Sequence, residues 1–372
     1  MKAIGIILAG GNNNRMKELT AKRAFPALPV AGSFRSIDFA LSSMSNSHIQ
    51  TVAVLTQYNA RSLNEHLSSS KWWNFGRKQG GLFLFTPTVT ADNSDWYRGT
   101  ADAMYQNIDF LKRRHEPYVI ISSGDCVYKL DFNRVLDFHI EKKSDITVVC
   151  KDMMYNDDVS RFGVVRMDDE SRITEFDEKP IEALSNTIST GIYVIRRRQL
   201  IELLEAAAEE NRFDFVNDIL VRYKNVKKIY GYKINSYWNN IADIDAYFKT
   251  NMDFLRPDVR SYFFREEPTI CSKVDDLPPA KFNPGSDISN SLVSSGCIIN
   301  GSVEDSVLFK QVFVGKNTTV KNCVILNDVY IGDNVHLENC IVESRGTINP
   351  NTCYCGEDGV MIVKEKNVRY VI

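Results

Sequence analysis

Four short segments carry residue types that handle phosphate, metal ions or sugars. Leu8-Ala9-Gly10-Gly11-Asn12-Asn13-Asn14-Arg15 follows an apolar run. Two glycines after a strand let backbone amides approach a phosphate, and Arg15 could clamp its oxygens. The same residues also make a plain tight turn. They form neither a Walker P-loop nor a GxGxxG fingerprint, so those classes lose weight. Trp96-Tyr97-Arg98-Gly99-Thr100-Ala101 precedes a helical pattern. Gly99, Thr100 and Ala101 are small enough to admit a flat base against the backbone, or they are simply a helix start. Ser122-Ser123-Gly124-Asp125 ends another apolar run. An acid at the carboxyl end of a central parallel strand is well placed to hold a metal beside a phosphate; a cap or turn is the alternative. In Phe176-Asp177-Glu178-Lys179-Pro180, Lys179 is either a contact for an anionic substrate or a solvated surface cation. Gly163, upstream, would let a sugar approach closely.

Other chemistries lack support. The five histidines, His48, His66, His115, His139 and His336, make no spaced cluster with Cys or Asp, and no serine nucleophile elbow occurs. The eight cysteines are scattered; Cys353-x-Cys355 is the one close pair, and no His follows it. That spacing does not suggest zinc, and reduced thiols in a cytoplasmic protein are the simpler expectation. Lys+Arg number 45 against 47 Asp+Glu, a net charge of −2, which argues against binding nucleic acid mainly by charge. No apolar stretch approaches a membrane span.

The elements that must position these residues are legible as short apolar runs at Ala3–Leu8, Thr51–Leu55, Tyr118–Ser122, Ile146–Cys150 and Thr190–Ile195. Amphipathic stretches at Ala101–Arg114 and Arg198–Glu210 lie between them. Strands alternating with helices predict an α/β domain on a mixed, mainly parallel, Rossmann-like sheet over residues 1–255. Residues 256–290 carry Pro257, Pro268, Pro278, Pro279 and Pro284 with little periodicity and read as a linker. From 291 to 372 aliphatics recur every sixth residue: Leu292 and Ile298, then Leu308, Val314 and Val320, then Ile325, Ile331 and Leu337. Val314-Gly315-Lys316-Asn317 returns as Ile331-Gly332-Asp333-Asn334. One inward aliphatic per six residues is the mark of a parallel β-helix, with three such units making a triangular coil. Cys297, Cys323 and Cys340 then fit small buried core positions.

Taken in order, these segments resemble the bacterial glucose-1-phosphate adenylyltransferase family. Leu19-Thr20, Arg23-Ala24, Phe34-Arg35-Ser36-Ile37-Asp38-Phe39, Leu55-Thr56-Gln57-Tyr58 and the Trp96–Gln106 block share the resemblance. So do Gly124-Asp125-Cys126-Val127-Tyr128-Lys129 and Glu178-Lys179-Pro180, and it covers nearly the whole chain. It implies a nucleotidyltransferase domain with a C-terminal left-handed β-helix. It also implies the reaction of ATP with glucose 1-phosphate to give ADP-glucose and pyrophosphate, with Mg²⁺ as cofactor. Carried over residue by residue, Gly10, Gly11 and Arg15 look like the triphosphate loop, and Tyr97, Gly99, Thr100 and Ala101 like the adenosine side. Asp125 looks like the catalytic, metal-binding acid. Gly163, Glu178, Lys179 and Ser189 look like the glucose-1-phosphate side, and Lys22 and Arg23 like effector-responsive positions. Arg15, Asp125 and Lys179 are the expected catalytic set.

Three departures share one direction. The family loop's third glycine is Asn13 here. The lysine of its Arg-Ala-Lys-Pro-Ala segment is Phe25. Its second metal-binding aspartate is Asn240, in Trp238-Asn239-Asn240-Ile241-Ala242-Asp243. Each weakens the hold on phosphate or metal. The chain therefore resembles the catalytically weakened, regulatory GlgD-type subunit, expected to join a catalytic GlgC-type subunit in a heterotetramer. A fully active homotetramer and a non-catalytic sugar-nucleotide-binding scaffold are the alternatives.

Overall fold

Ala3–Leu8 (β1) is apolar from end to end because neighbours flank it on both edges and cover both faces. It pairs in parallel with Thr51–Leu55 (β2) and with Tyr118–Ser123 (β4), and β2 pairs in parallel with Gly81–Phe85 (β3). The computed structural model describes residues 3–11, 14–76, 80–89, 95–154 and 157–365. Beyond β4, a short strand at Cys126–Tyr128 (β5) leaves the main sheet for a two-stranded ribbon with Trp238–Asn240 (β11). The main sheet continues with Ile146–Asp152 (β6), Gly163–Met167 (β7), Ile173–Glu178 (β8), Thr187–Arg196 (β9) and Ile229–Lys233 (β10). Strand β9 runs antiparallel to both β4 and β6, so the nine-stranded sheet is mixed, with four parallel strands at β3-β2-β1-β4.

The helices depart from the expected lengths in one instructive place. The amphipathic stretch from Ala101 divides into two short helices, Thr100–Tyr105 and Ile108–Lys112. Asn107 sits between them; its amide donates to the Ala103 carbonyl and to the Tyr97 hydroxyl. A short amide that bonds its own backbone competes with helix continuation. Among the described residues no helix is long and apolar enough to cross a membrane.

The expected linker is not structureless. Pro257–Phe264 is a helix, with Pro257 at the first turn, where its missing N–H costs nothing. Phe254, Phe263 and Phe264 from this region pack with Phe34 and Phe39. The solenoid also begins earlier than residue 291, since Lys281–Phe282 and Asp287–Ser289 already pair with its later strands. Aliphatic spacing missed them because Lys281, Phe282, Asp287 and Ser289 are exposed on the first coil.

The C-terminal part is three parallel five-stranded sheets wound as a left-handed β-helix. Most coils repeat every 17 residues rather than 18, as the Asn317–Asn334 and Asn334–Asn351 amide bonds show. These asparagines have φ of 55°, 57° and 61°, the left-handed corner conformation that Asn tolerates better than most residues. Their stacked amides form a ladder that fixes the coil register. Leu308, Val314, Val320, Ile325, Ile331 and Leu337 point inward as their spacing predicts, and Cys297, Cys323 and Cys340 are fully buried beside them. Ile298 does not; it is 39% exposed and Ile299 takes the interior place. Leu292 packs toward the first domain instead, in a cluster with Val307, Phe309, Leu326 and Tyr247.

Candidate active site

The ends of β1, β2 and β4 meet in one place because parallel strands deliver their carboxyl ends to one edge. Gly124 donates its N–H to the Leu8 carbonyl at 3.0 Å, and its carbonyl accepts from the Ser36 hydroxyl at 2.7 Å. This ties the Asp125 loop to the start of the Gly10-Gly11 turn. Among the described residues nothing lies within 4 Å of where a side chain at Gly11 would project. Asn13 lies outside the described residues.

Gln57, two residues past β2, holds the turn to the adenosine-side segment. Its amide oxygen accepts from the Tyr97 N–H at 3.0 Å, and its NH2 donates to the Tyr97 carbonyl at 3.2 Å and lies 3.5 Å from the Gly10 carbonyl. Sequence reasoning gave Gln57 no role; its place just beyond a parallel strand was the available signal. Tyr97 is buried, and burial raises its phenol pKa. Trp96 and Tyr58 remain exposed and stack with ring centroids 5.8 Å apart, offering a flat aromatic surface beside Tyr97.

Gly99, Thr100 and Ala101 do not leave the expected slot for a base. A side-chain carbon at Gly99 would lie 2.3 Å from the Phe213 carbonyl oxygen. The same carbonyl accepts from the Ala101 N–H at 2.8 Å and the Asp102 N–H at 3.2 Å. The Thr100 hydroxyl accepts from the Phe215 N–H at 2.8 Å. The helix-start amides and the missing side chain are therefore used to seat the 213–215 segment.

At the expected metal position the register of β5 and β11 sets Cys126 opposite Asn240. Ile241 donates its N–H to the Asp125 carbonyl at 3.0 Å. The Asp125 carboxylate accepts from the Ser123 hydroxyl. Asn240 is committed within the protein: its oxygen accepts from the Ala242 N–H at 3.0 Å, and its NH2 faces Cys126 Sγ at 3.4 Å. Phe25 is 5% exposed and packs in an apolar cluster with Met16, Leu19, Leu28 and Ile241.

Arg15 feels both Asp158 and Arg161 electrostatically. Arg161 pairs with Asp243 and lies 4.9 Å over the Phe162 ring, and burial lowers its pKa. A second, half-buried cation thus borders Cys126 and the Asn240 turn. It was not singled out in the sequence, because an Arg before Phe-Gly has no distinguishing pattern.

The residues expected on the sugar side lie close to one another. Gly163 pairs with Glu178 across β7 and β8, and a side chain at 163 would meet Glu178 Oε2 at 2.9 Å. Burial raises the Glu178 pKa, against the opposing pull of Lys179 at 3.2 Å. Lys179 is 62% exposed and has φ of 50°, held by its N–H bond to the Phe162 carbonyl. The Ser189 hydroxyl lies 3.3 Å from the Tyr193 hydroxyl, and Tyr193 in turn senses the Glu178 charge, which with burial pushes its phenol well up. Strand β9 carries Ser189 past the acid loop: Cys126 Sγ is 4.0 Å from the Thr190 carbonyl. Asp214 was also missed. It accepts from the Thr100 hydroxyl at 3.4 Å and raises the Glu178 pKa, so it joins the two halves of the cleft.

Of the two positions expected to respond to an effector, Lys22 is exposed. Arg23 reaches across the domains to Glu343 of the solenoid at 2.8 Å, with 19% and 13% of the two side chains exposed.

Residues 4–256 match the nucleotidyl transferase family, and residues 278–362 match the GlmU-like C-terminal hexapeptide family. The chain is 39% identical over 365 residues to glucose-1-phosphate adenylyltransferase of Geobacillus stearothermophilus, covering 97% of this chain and 94% of that one. It is 38% identical over 320 residues to the enzyme so named in Clostridium novyi, covering 85% and 84%. For the Bacillus subtilis protein of that name the identity is 36% over 322 residues, covering 86% and 84%.

Proposed function

We propose, on the premise that this chain belongs to the glucose-1-phosphate adenylyltransferase family of nucleotidyl transferases, that it binds glucose 1-phosphate and ATP as a weakened, regulatory subunit. In the reaction of this reading, the sugar phosphate attacks the α-phosphorus of ATP and pyrophosphate leaves. Lys179 draws the sugar phosphate, Glu178 and Gly163 shape the sugar side, and Arg15 with the Gly10-Gly11 amides draws the triphosphate. A divalent cation, Mg²⁺, fits Asp125, which supplies one anionic oxygen ligand; substrate phosphates and water would complete the shell. Such an ion neutralises phosphate charge. Asn240 fits poorly as its second ligand, since it brings no negative charge and its oxygen already accepts from Ala242.

The uncharged amide at position 240, opposite Cys126 and next to the Asp125 loop, is the observation that carries the weakened reading. One lost charge contact in a transition state typically costs ~2–4 kcal/mol. The family's lysine position, filled by buried Phe25, adds to the loss. The active alternative draws on the intact Asp125 and Lys179. A tetramer, mixed with a catalytic GlgC-type relative or of one chain, is the expected assembly, because solenoids commonly pack against other subunits.

The test is pyrophosphate release by the purified chain, first alone and then mixed with a catalytic relative from the same cell. Slow release alone, with a changed rate or effector response in the mixture, supports the regulatory reading. Turnover alone at the rate of an ordinary family member overturns it.

A further inference from the structure

The last coils of the solenoid place four metal-binding side chains on one patch of surface. Strand register sets His336 beside Cys353 and Glu338 beside Cys355. Leu337, between His336 and Glu338, is fully buried in the solenoid. Residues alternate sides along a strand, so His336 and Glu338 share the outer face, and the Cys353 and Cys355 thiols lie together on the adjacent strand.

Three of the four donors are already gathered, and Cys353 adjoins them through Cys355. The Cys353 and Cys355 sulfurs are 3.6 Å apart. His336 Nε2 and Glu338 Oε2 are 3.5 Å apart. The donor atoms of His336, Glu338 and Cys355 all lie within 4.8 Å of one another. Tetrahedral zinc with bonds of ~2.3 Å to sulfur and ~2.1 Å to nitrogen or oxygen would set such edges at roughly 3.8 Å and 3.4 Å. The neighbouring cation, Lys321, is drawn to Glu304 at 3.5 Å on the side away from Cys355.

We propose that His336, Glu338, Cys353 and Cys355 form a zinc-type site on the outside of the terminal coil. Imidazole, carboxylate and two thiols are a donor set for a tetrahedral, thiophilic divalent ion. Binding converts both thiols to thiolates, so two protons leave as two metal–sulfur bonds form. The ion would bridge the strand 336–338 to the strand 353–355, which ends the order of its sheet among the described residues. It would pin an edge strand that otherwise has a neighbour on one side. Linear spacing hides this set, because a partner one coil away in a solenoid lies 17 residues off in sequence.

The experiment uses the full chain, reduced and stripped with chelator, and titrated with Zn²⁺ against a chromophoric zinc indicator. One equivalent should bind, and Cys355→Ser and His336→Ala should each weaken it at least ~30-fold, as expected for losing one of four ligands. Co²⁺ in place of Zn²⁺ should show tetrahedral ligand-field bands and a thiolate charge-transfer band that Cys353→Ser together with Cys355→Ser abolishes. Hydrogen exchange should slow on adding Zn²⁺ at residues 347–363 and stay unchanged in the double variant. The proposal is overturned if the stripped chain takes up no stoichiometric zinc. It is equally overturned if binding survives the double variant, or if Co²⁺ shows an octahedral, sulfur-free spectrum.

Discussion

The two ends of the cleft treat their polar groups differently. At the sugar end, Lys179 stands 62% exposed on a left-handed backbone, and Glu178 is half-buried beside it with an elevated pKa. At the expected nucleotide and metal end, Gly99, Ala101 and Thr100 meet the 213–215 segment, Asn240 meets Ala242, and Phe25 meets other apolar side chains. The fold is common to both ends. On the proposed reading, directing these groups into protein partners leaves fewer of them free to meet the phosphates.

The largest expected effect tests whether Phe25 belongs to the core. Phe25→Lys removes a ring that is 5% exposed and puts a cation among Met16, Leu19, Leu28 and Ile241. Losing a buried Phe typically costs ~3–5 kcal/mol, and an unpaired buried charge adds to that. Urea unfolding should show a loss of this size. Unchanged stability with a gain in triphosphate affinity would mean that the position does face the phosphates.

Next in size is Gly99→Ala, at ~3 kcal/mol, the upper end for overpacking. The added carbon would press on the backbone of Phe213, which cannot swing aside as a side chain can. Thermal unfolding reads the loss. If stability holds and only ATP affinity falls, a ligand rather than Phe213 sets the demand for glycine.

These two positions also show what the sequence could and could not tell. The strands at Ala3–Leu8 and Thr51–Leu55 and the inward aliphatics from Leu308 to Leu337 were legible because burial repeats with the period of the element. Asp125 was legible because it follows a strand. The tasks of Gly99 and Phe25 were not, since they depend on Phe213 and Ile241, more than 100 residues away along the chain. Gln57, Arg161 and Asp214 were passed over because their partners, Tyr97, Asp243 and Thr100, lie in other segments, 40 to 114 residues away. Their partners come from loops whose meeting is set by the whole fold.

A smaller effect is expected at the open end. Lys179→Gln removes a charge that is mostly solvated, so stability should change little. A hydrogen bond to a charged group is typically worth ~2 kcal/mol, which predicts roughly 30-fold weaker glucose 1-phosphate binding. Calorimetry with the sugar phosphate checks this, and ATP binding should be unaffected. Equal loss for both substrates would mean that the two ends are not separable.

The smallest effect is the most diagnostic. Asn240→Asp keeps an oxygen that can accept from Ala242, but it loses the NH2 that faces Cys126. It also sets a second carboxylate near Asp125, across the pairing of Cys126 with Asn240. Two like charges so placed raise one another's pKa and disfavour the folded state unless a cation lies between them. The variant should therefore unfold at a slightly lower temperature than the parent in chelator and regain the difference with Mg²⁺. The parent should show little such response. Its turnover with Mg²⁺ should rise about 10-fold, or ~1.4 kcal/mol, less than a full charge contact supplies because Phe25 remains. A metal-dependent stability gain without added turnover would place the deficit at the phosphates rather than at the metal. If neither stability nor turnover responds to Mg²⁺, position 240 does not border the metal, and the contrast between the two ends would then rest on Phe25 and Gly99 alone.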